Sequence, residues 1–200
     1  MVPPSIGPAT IWRHTGAVTT ADPGFIALET ARLHIRRFRL DDAPVVHAYR
    51  TDREVARYQS WDPTRFSAEA AEAFVREMTQ ATPGTPGDWF QFAIELRSSG
   101  VVIGDVALGA DVHGPDTAEL GFSLARRHHG HGYATEAVRA VVAYAEGKLG
   151  ATRMVAIADA RNRASIGVLE RVGFARTRVE EAPFKGELVR EVWFERTAAA

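Results

Sequence analysis

The chain has no cysteine in its 200 residues. Disulfides, thiolate metal sites and a cysteine nucleophile are therefore excluded. No apolar run reaches the roughly 18 residues that a membrane-spanning helix requires. The opening MVPPSIGPATIWRHTGAVTTADPG lacks the unbroken apolar stretch of an export signal. Its Pro, Gly and Thr content reads as an extended or partly disordered leader over residues 1–26. A cytoplasmic location and no membrane partner are the matching expectations. An excess of one charge is missing too: a formal net charge of −1 offers no basic surplus for a nucleic-acid partner. The local patch RRFR (36–39) reads as a solvated strand edge.

An apolar fraction of 46% with 24% charged residues is ordinary for a chain with one sizeable core, placed over 27–197. LETARLHIRRFRL (28–40) alternates Leu33 and Ile35 against His34, Arg36 and Phe38, as a strand does. Asp41 or Asp42 then caps a short helix with Pro44 in its first turn. Ser67 caps a second helix whose apolar stripe is Ala71, Phe74, Val75 and Met78, ended by Pro83. Strands follow at 89–96, 101–109 and 117–125, the first two joined by RSSG as an antiparallel pair. A helix from Tyr133 to Leu149 buries Ala137, Val138 and Val141, and 152–159 is a strand apolar enough for burial on both faces. Asn162 caps a helix through Val172, with Ile166 and Leu169 inward and Gly173 stopping it. Two strands, Phe174–Glu180 and Glu187–Arg196, close the chain. That order is neither doubly wound nor all-β; it predicts an α/β (α+β) domain with a mixed sheet flanked by helices. Nothing in it selects between a monomer and a homodimer.

The densest chemistry is RRHHGHGYATEA (126–137). Three imidazoles, His128, His129 and His131, suggest a metal, yet their spacing matches no H-x-x-x-H pattern and no thiolate is available. The expectation is no metal. Gly130 and Gly132, between a strand end and a helix start, suit an anion instead. Backbone without Cβ approaches a ligand closely, and the first amides of the helix point at it. Arg127 adds charge. The loop is not a Walker loop, since no Gly-Lys-Ser/Thr follows, nor a dinucleotide fingerprint, since the third glycine is missing.

Arg127-His-His-Gly130-His-Gly132 resembles the Arg/Gln-x-x-Gly-x-Gly/Ala loop of the GNAT superfamily of N-acetyltransferases. ELGFSLARRHHGHGYATEA and NRASIGVLERVGF (162–174) are similar to segments of its RimJ/RimL branch, as are LETARLHIRRF and VARYQSWDP. The likeness runs collinearly over about residues 27–196. It implies a mixed sheet splayed between two strands, with acetyl-CoA as cosubstrate in the V-shaped cleft. By this resemblance, the loop from Arg127 through His129, Gly130, His131, Gly132 and Tyr133 to Ala134 holds the pyrophosphate. The strand through Phe122 to Leu124 pairs with the pantetheine arm, and Asn162 is the asparagine on the cofactor side. The amine acceptor is a protein N-terminus or a small molecule, and the glycines and backbone matter more than the histidines.

Without cysteine, direct transfer in a ternary complex is favoured over a thiol relay. Glu119 is the candidate base. Alternation puts it on one face of its strand with Thr117, Gly121 and Ser123, and the glycine beside it suggests a surface that something approaches closely. Many relatives protonate the thiolate with a tyrosine where this chain has Leu169; Ser165 is the candidate substitute. Trp61, Trp89 and Asp105 are candidate acceptor-binding residues, Asp105 also reading as a structural hydrogen-bond acceptor. The alternative reading is a non-catalytic acyl-CoA-binding or sensing module on the same fold.

Overall fold

A computed structural model describes residues 19–198. The chain runs β1 (Ala27–Glu29), β2 (Leu33–Arg36), α1 (Ala43–Arg50), α2 (Arg53–Ala56), α3 (Ala68–Gln80), β3 (Trp89–Leu96), β4 (Val102–Ala110), β5 (Thr117–Leu124), α4 (Tyr133–Tyr144), β6 (Arg153–Asp159), α5 (Arg163–Arg171), β7 (Ala175–Phe184) and β8 (Glu187–Thr197). One eight-stranded mixed sheet has the order β1-β2-β3-β4-β5-β6-β8-β7. The main core lies between one face and α4 and α5, where Phe90, Phe92, Leu108, Leu120, Met154 and Phe194 are buried. A smaller core on the other face gathers Val46, Val75, Met78 and Ala93 under α1 and α3.

The β5–β6 join positions the site. These strands are parallel and pair only from Thr117/Arg153 to Glu119/Val155. Beyond that rung β5 continues to Leu124 against β4, and β6 continues to Asp159 against β8. The two strands part, and a V opens with its apex at Glu119.

The segment expected as one strand over 28–40 is instead a hairpin. Thr30 makes the turn: its hydroxyl accepts from Leu33 N at 2.9 Å and donates to Glu136 at 2.6 Å. Leu33 and Ile35 still enter the core, but RRFR is not a solvated edge. Arg36, 4% exposed, donates to both Asp42 and Glu95 at 2.7 Å. Asp42 is spent on Arg36 and on the Arg39 amide, so it precedes α1 without making a side-chain cap bond. Ser67 and Asn162 do cap α3 and α5 through Ala70 N and Ser165 N.

Residues 1–18 of the expected leader lie outside the described residues. The remainder is packed on the domain. Thr20 N donates to Leu149 O and Asp22 N to Pro83 O, both at 2.8 Å, and Phe25 is buried against Phe90, Phe92 and Tyr144. An aromatic ring buried in that cluster is what fixes a segment whose composition resembles coil.

Candidate active site

At the mouth of the V, β5 ends at Leu124 and a tight turn, Arg126–His128, leads to the two glycines. Gly130 (φ +78°) and Gly132 (φ +79°) both adopt the left-handed conformation, which L side chains resist. From Gly130 to Thr135, no backbone N–H has a backbone acceptor among the described residues. Gly132 provides no side-chain cap to α4, so the first amides of that helix keep no side-chain partner at the N-cap. Six consecutive amides without backbone acceptors, next to two left-handed glycines, have the donor chemistry that an anion such as a pyrophosphate requires. The residues present fit the group.

The histidines fasten this loop to itself. His129 Nε2 donates to Leu124 O at 2.9 Å, and His131 Nδ1 to His129 O at 2.8 Å. His128 Nε2 accepts from Arg127 Nε at 3.0 Å. Its pKa is lowered by partial burial first and then by Arg127, consistent with a neutral ring. Among the described residues no three His, Asp or Glu are grouped to hold a metal ion.

Two residues that the sequence did not single out brace the loop from outside. Arg32, in the β1–β2 turn, donates from NH1 to His131 O at 2.9 Å and stacks its guanidinium 4.6 Å from the Tyr133 ring centre. His131 stacks on the same ring, its centroid 5.6 Å away. Glu136 fixes Arg32 in turn, accepting from its backbone N at 2.9 Å and its Nε at 2.6 Å. A cleft of about 420 Å³ lined by Arg32, Gly132, Thr135, Glu136, Arg139 and Arg171 adjoins this brace. On the α1 side, Arg127 lines a second cleft of about 380 Å³ with Tyr49, Asp52 and Arg126.

Within the V, Gln59 Nε2 donates to Phe122 O at 3.1 Å. A side-chain amide thus already satisfies a carbonyl on the parted stretch of β5, so this edge accepts an amide donor without distortion. The amides of an extended pantetheine are donors of that kind.

At the apex, one row crosses the sheet through Trp89, Gly109, Glu119 and Val155. Directly paired residues share a face, so Trp89 and Glu119 lie on the same side. Gly109 between them lets the indole lie flat: a Cβ there would come within 2.8 Å of the ring. On its far side Glu119 meets His113, whose Nε2 is 2.7 Å from Oε2. His113 is edge-on to Trp193 at 5.5 Å, and Arg178 lies 3.7 Å above that indole. Glu191 stands nearby. Burial, followed by Glu180, Asp159 and Glu119, raises its carboxyl above the usual range.

Asp105 is 3% exposed and committed: the Tyr49 hydroxyl and Arg50 NH2 both donate to its Oδ2. Burial, then the Asp105 charge, pushes the Tyr49 hydroxyl well up. A bulge near Ile94/Glu95 sends Ile103 to the main core, while Asp105, paired with Ala93, lies on the opposite face. Trp61 donates from Nε1 to Arg50 O at 2.9 Å, and the Arg50 guanidinium covers its ring at 4.5 Å. The structure therefore brings Trp89 to Glu119 and ties Trp61 to α1. Ser165 and Asn162 open α5, with Asn162 Oδ1 used in the cap; Leu169 is buried at 1% exposure.

A mixed sheet parted after one parallel pairing, with a glycine loop at the mouth of the parting, is the architecture of an N-acetyltransferase fold. The Acetyltransferase (GNAT) domain matches residues 32–175, and the chain belongs to that family of N-acetyltransferases. It is 30% identical over 151 residues to the uncharacterized N-acetyltransferase p20 of Bacillus licheniformis, covering 74% of this chain and 82% of that one. Its fold is similar to that of Mycobacterium smegmatis RimJ in complex with CoA-disulfide (TM-score 0.72, 21% identity, 83% and 82% of the two chains). It is also similar to that of Vibrio cholerae spermidine N-acetyltransferase in complex with CoA and spermine (TM-score 0.71, 19% identity, 84% and 96%).

Proposed function

We propose that this chain transfers the acetyl group of acetyl-CoA to a primary amine, a protein N-terminus or a small molecule, by direct attack in a ternary complex. The observation that carries the reading is the apex of the V. The last rung joining β5 to β6 bears Glu119, so a pantetheine arm laid along the parted edge of β5 from the glycine loop ends beside a carboxylate. Acetyl-CoA supplies a thioester carbonyl as the electrophile.

The chain's residues handle the protons. An alkyl ammonium with pKa near ~10.4 is neutral in only about one molecule in a few thousand at pH 7, whereas an α-amino group at ~7.7–8.0 needs less help. Glu119 Oε1 takes the first proton of the ammonium, directly or through one water, and frees the nitrogen lone pair. The nitrogen attacks the carbonyl carbon and the carbon–sulfur bond breaks. The second proton goes from nitrogen to sulfur, with the Ser165 hydroxyl as the candidate relay in the absence of a tyrosine at Leu169. The products are the amide, the free thiol and one proton, which leaves from Glu119. Trp89 forms an apolar wall for the acceptor, and Asn162 and the amide nest hold the cosubstrate. Among the described residues no helix is long and apolar enough to cross a membrane.

The test is thiol release from acetyl-CoA with a panel of peptides bearing free N-termini and of aliphatic amines, using wild type and Glu119→Gln. General-base assistance is worth about 10²–10⁴-fold, so the variant loses turnover on that order while binding acetyl-CoA unaltered. Unchanged turnover removes Glu119 from the role. No turnover with any amine, despite tight acetyl-CoA binding, favours a binding or sensing module.

A further inference from the structure

The loop between β4 and β5 is built in an unusual way for a plain connection. In six residues it holds Asp111 (φ +54°), Gly114 (φ +108°) and Asp116 (φ +62°) in the left-handed region, two of them not glycine. Asp is one of the few L residues that enter this region in turns, and contacts keep it there. The contacts are present: Asp116 O accepts from Thr152 N at 3.0 Å and Arg153 N at 3.1 Å, locking the loop to the start of β6. The residue carried at its centre is His113. Its imidazole meets Glu119 of β5 through Nε2 and Oε2 at 2.7 Å and lies edge-on to Trp193 of β8. Arg178 of β7 backs that indole from 3.7 Å. Two strands, β5 and β8, thus hold one ring. Glu119 Oε1 has no partner among the described residues.

We infer that His113 is the positioning residue for Glu119: it holds Oε2 so that Oε1 alone is presented to the acceptor amine. This rests on the proposed role of Glu119 as base. A carboxylate only accepts, so the hydrogen on this bond belongs to the imidazole Nε2. With one oxygen anchored, the flexible glutamate side chain is confined to a single rotamer at the apex of the V. The proton taken from the ammonium then has one destination, Oε1. His113 makes and breaks no bond in the step. The other charged groups around the pair are Glu191 on β8, Arg178 beyond Trp193, and Asp111 and Asp116 on the loop itself.

Two measurements test this, one independent of any acceptor. In ¹H–¹⁵N spectra of the imidazoles, the Nε2–H proton of His113 in the wild-type protein is a slowly exchanging, strongly downfield signal, and Glu119→Leu abolishes it. Absence of that signal in the wild type, or its persistence in Glu119→Leu, overturns the pairing.

The second measurement uses thiol release from acetyl-CoA with whichever of an N-terminal serine peptide, an N-terminal alanine peptide and spermidine turns over fastest. His113→Leu lowers kcat roughly tenfold, as expected for loss of one hydrogen bond to a charged group, and leaves acetyl-CoA affinity within about twofold. His113→Gln, whose amide nitrogen reaches the position of Nε2, restores kcat to within about threefold of wild type. In a Glu119→Gln background, His113→Leu costs nothing further, because residues that act through one another are not additive. An equal loss in both backgrounds means that His113 acts on stability or on the acceptor, and the inference fails. If Glu119→Gln alone leaves turnover intact, the base assignment fails instead, and the spectra still report whether the pair exists.

Discussion

Arg32 and Glu136, 104 residues apart in the chain, meet through the guanidinium Nε and NH2, each 2.6 Å from Oε2. This pair closes a circuit. Glu136 sits in the first turn of α4 and Arg32 reaches His131 O, so the turn of the β1–β2 hairpin holds the glycine loop in shape. Removing either partner leaves the amide nest free to fluctuate before it binds. Arg32→Ala and Glu136→Ala each lower acetyl-CoA affinity about tenfold, the worth of a charge-assisted bond, measured by calorimetric titration. Their cost to stability is small, on the order of 1 kcal/mol, because Arg32 is half exposed.

The same carboxylate gives the fold a pH dependence. Partial burial alone would raise the Glu136 carboxyl, but the bonds from Thr30, the Arg32 amide and the Arg32 side chain outweigh it and hold it below the usual range. A carboxyl depressed in the folded state contributes stability that is fully present above its unfolded value, near ~4.3, and is lost as pH falls through the folded value. Urea unfolding between pH 7 and pH 3 checks this. Wild type loses more stability over that range than Glu136→Gln, and the two curves converge at the acid end.

Asp105 is a structural acceptor by its contacts. Asp105→Leu leaves the buried Arg50 charge without its carboxylate and costs about 3–5 kcal/mol in chemical denaturation. Tyr49→Phe, which removes one donor and keeps the ion pair, costs about 1–3 kcal/mol. A cost for Asp105→Leu under about 1 kcal/mol would contradict this and return Asp105 to the acceptor site.

Trp89 reaches the apex only because Gly109 leaves room for its indole. Trp89→Leu therefore raises KM for the amine severalfold while the Kd for acetyl-CoA is unchanged. Gly109→Val has the same signature by displacing the ring. Equal losses for both substrates would place Trp89 in the scaffold.

Helices and strands with strong periodicity were legible in the sequence, and so were the caps at Ser67 and Asn162, because those signals are local. The glycine loop was legible through its motif. What escaped was fixed by distant partners. The turn at Thr30–Arg32 carries no glycine or proline; its stabilising partner is Glu136, which no local pattern links to it. Arg36 looked like a surface charge because its partners, Asp42 and Glu95, lie on separate elements. Two histidines of the loop, His129 and His131, bond to carbonyls within a few residues, a geometry that depends on left-handed glycines and not on spacing. His113 stood in a turn-rich stretch, DVHGPD, and only the fold sets its ring on Glu119.

The most direct measurement is calorimetric titration of the untagged protein with acetyl-CoA, repeated with Gly132→Trp. Gly132 is left-handed at φ +79°, and a Cβ there already lies 3.4 Å from Arg32 NH2, so an indole fills the nest. The expected result is saturable one-to-one binding by wild type and none by the variant, with the fold intact by circular dichroism. Absence of binding by wild type, or equal binding by Gly132→Trp, would contradict the nest as the cosubstrate site.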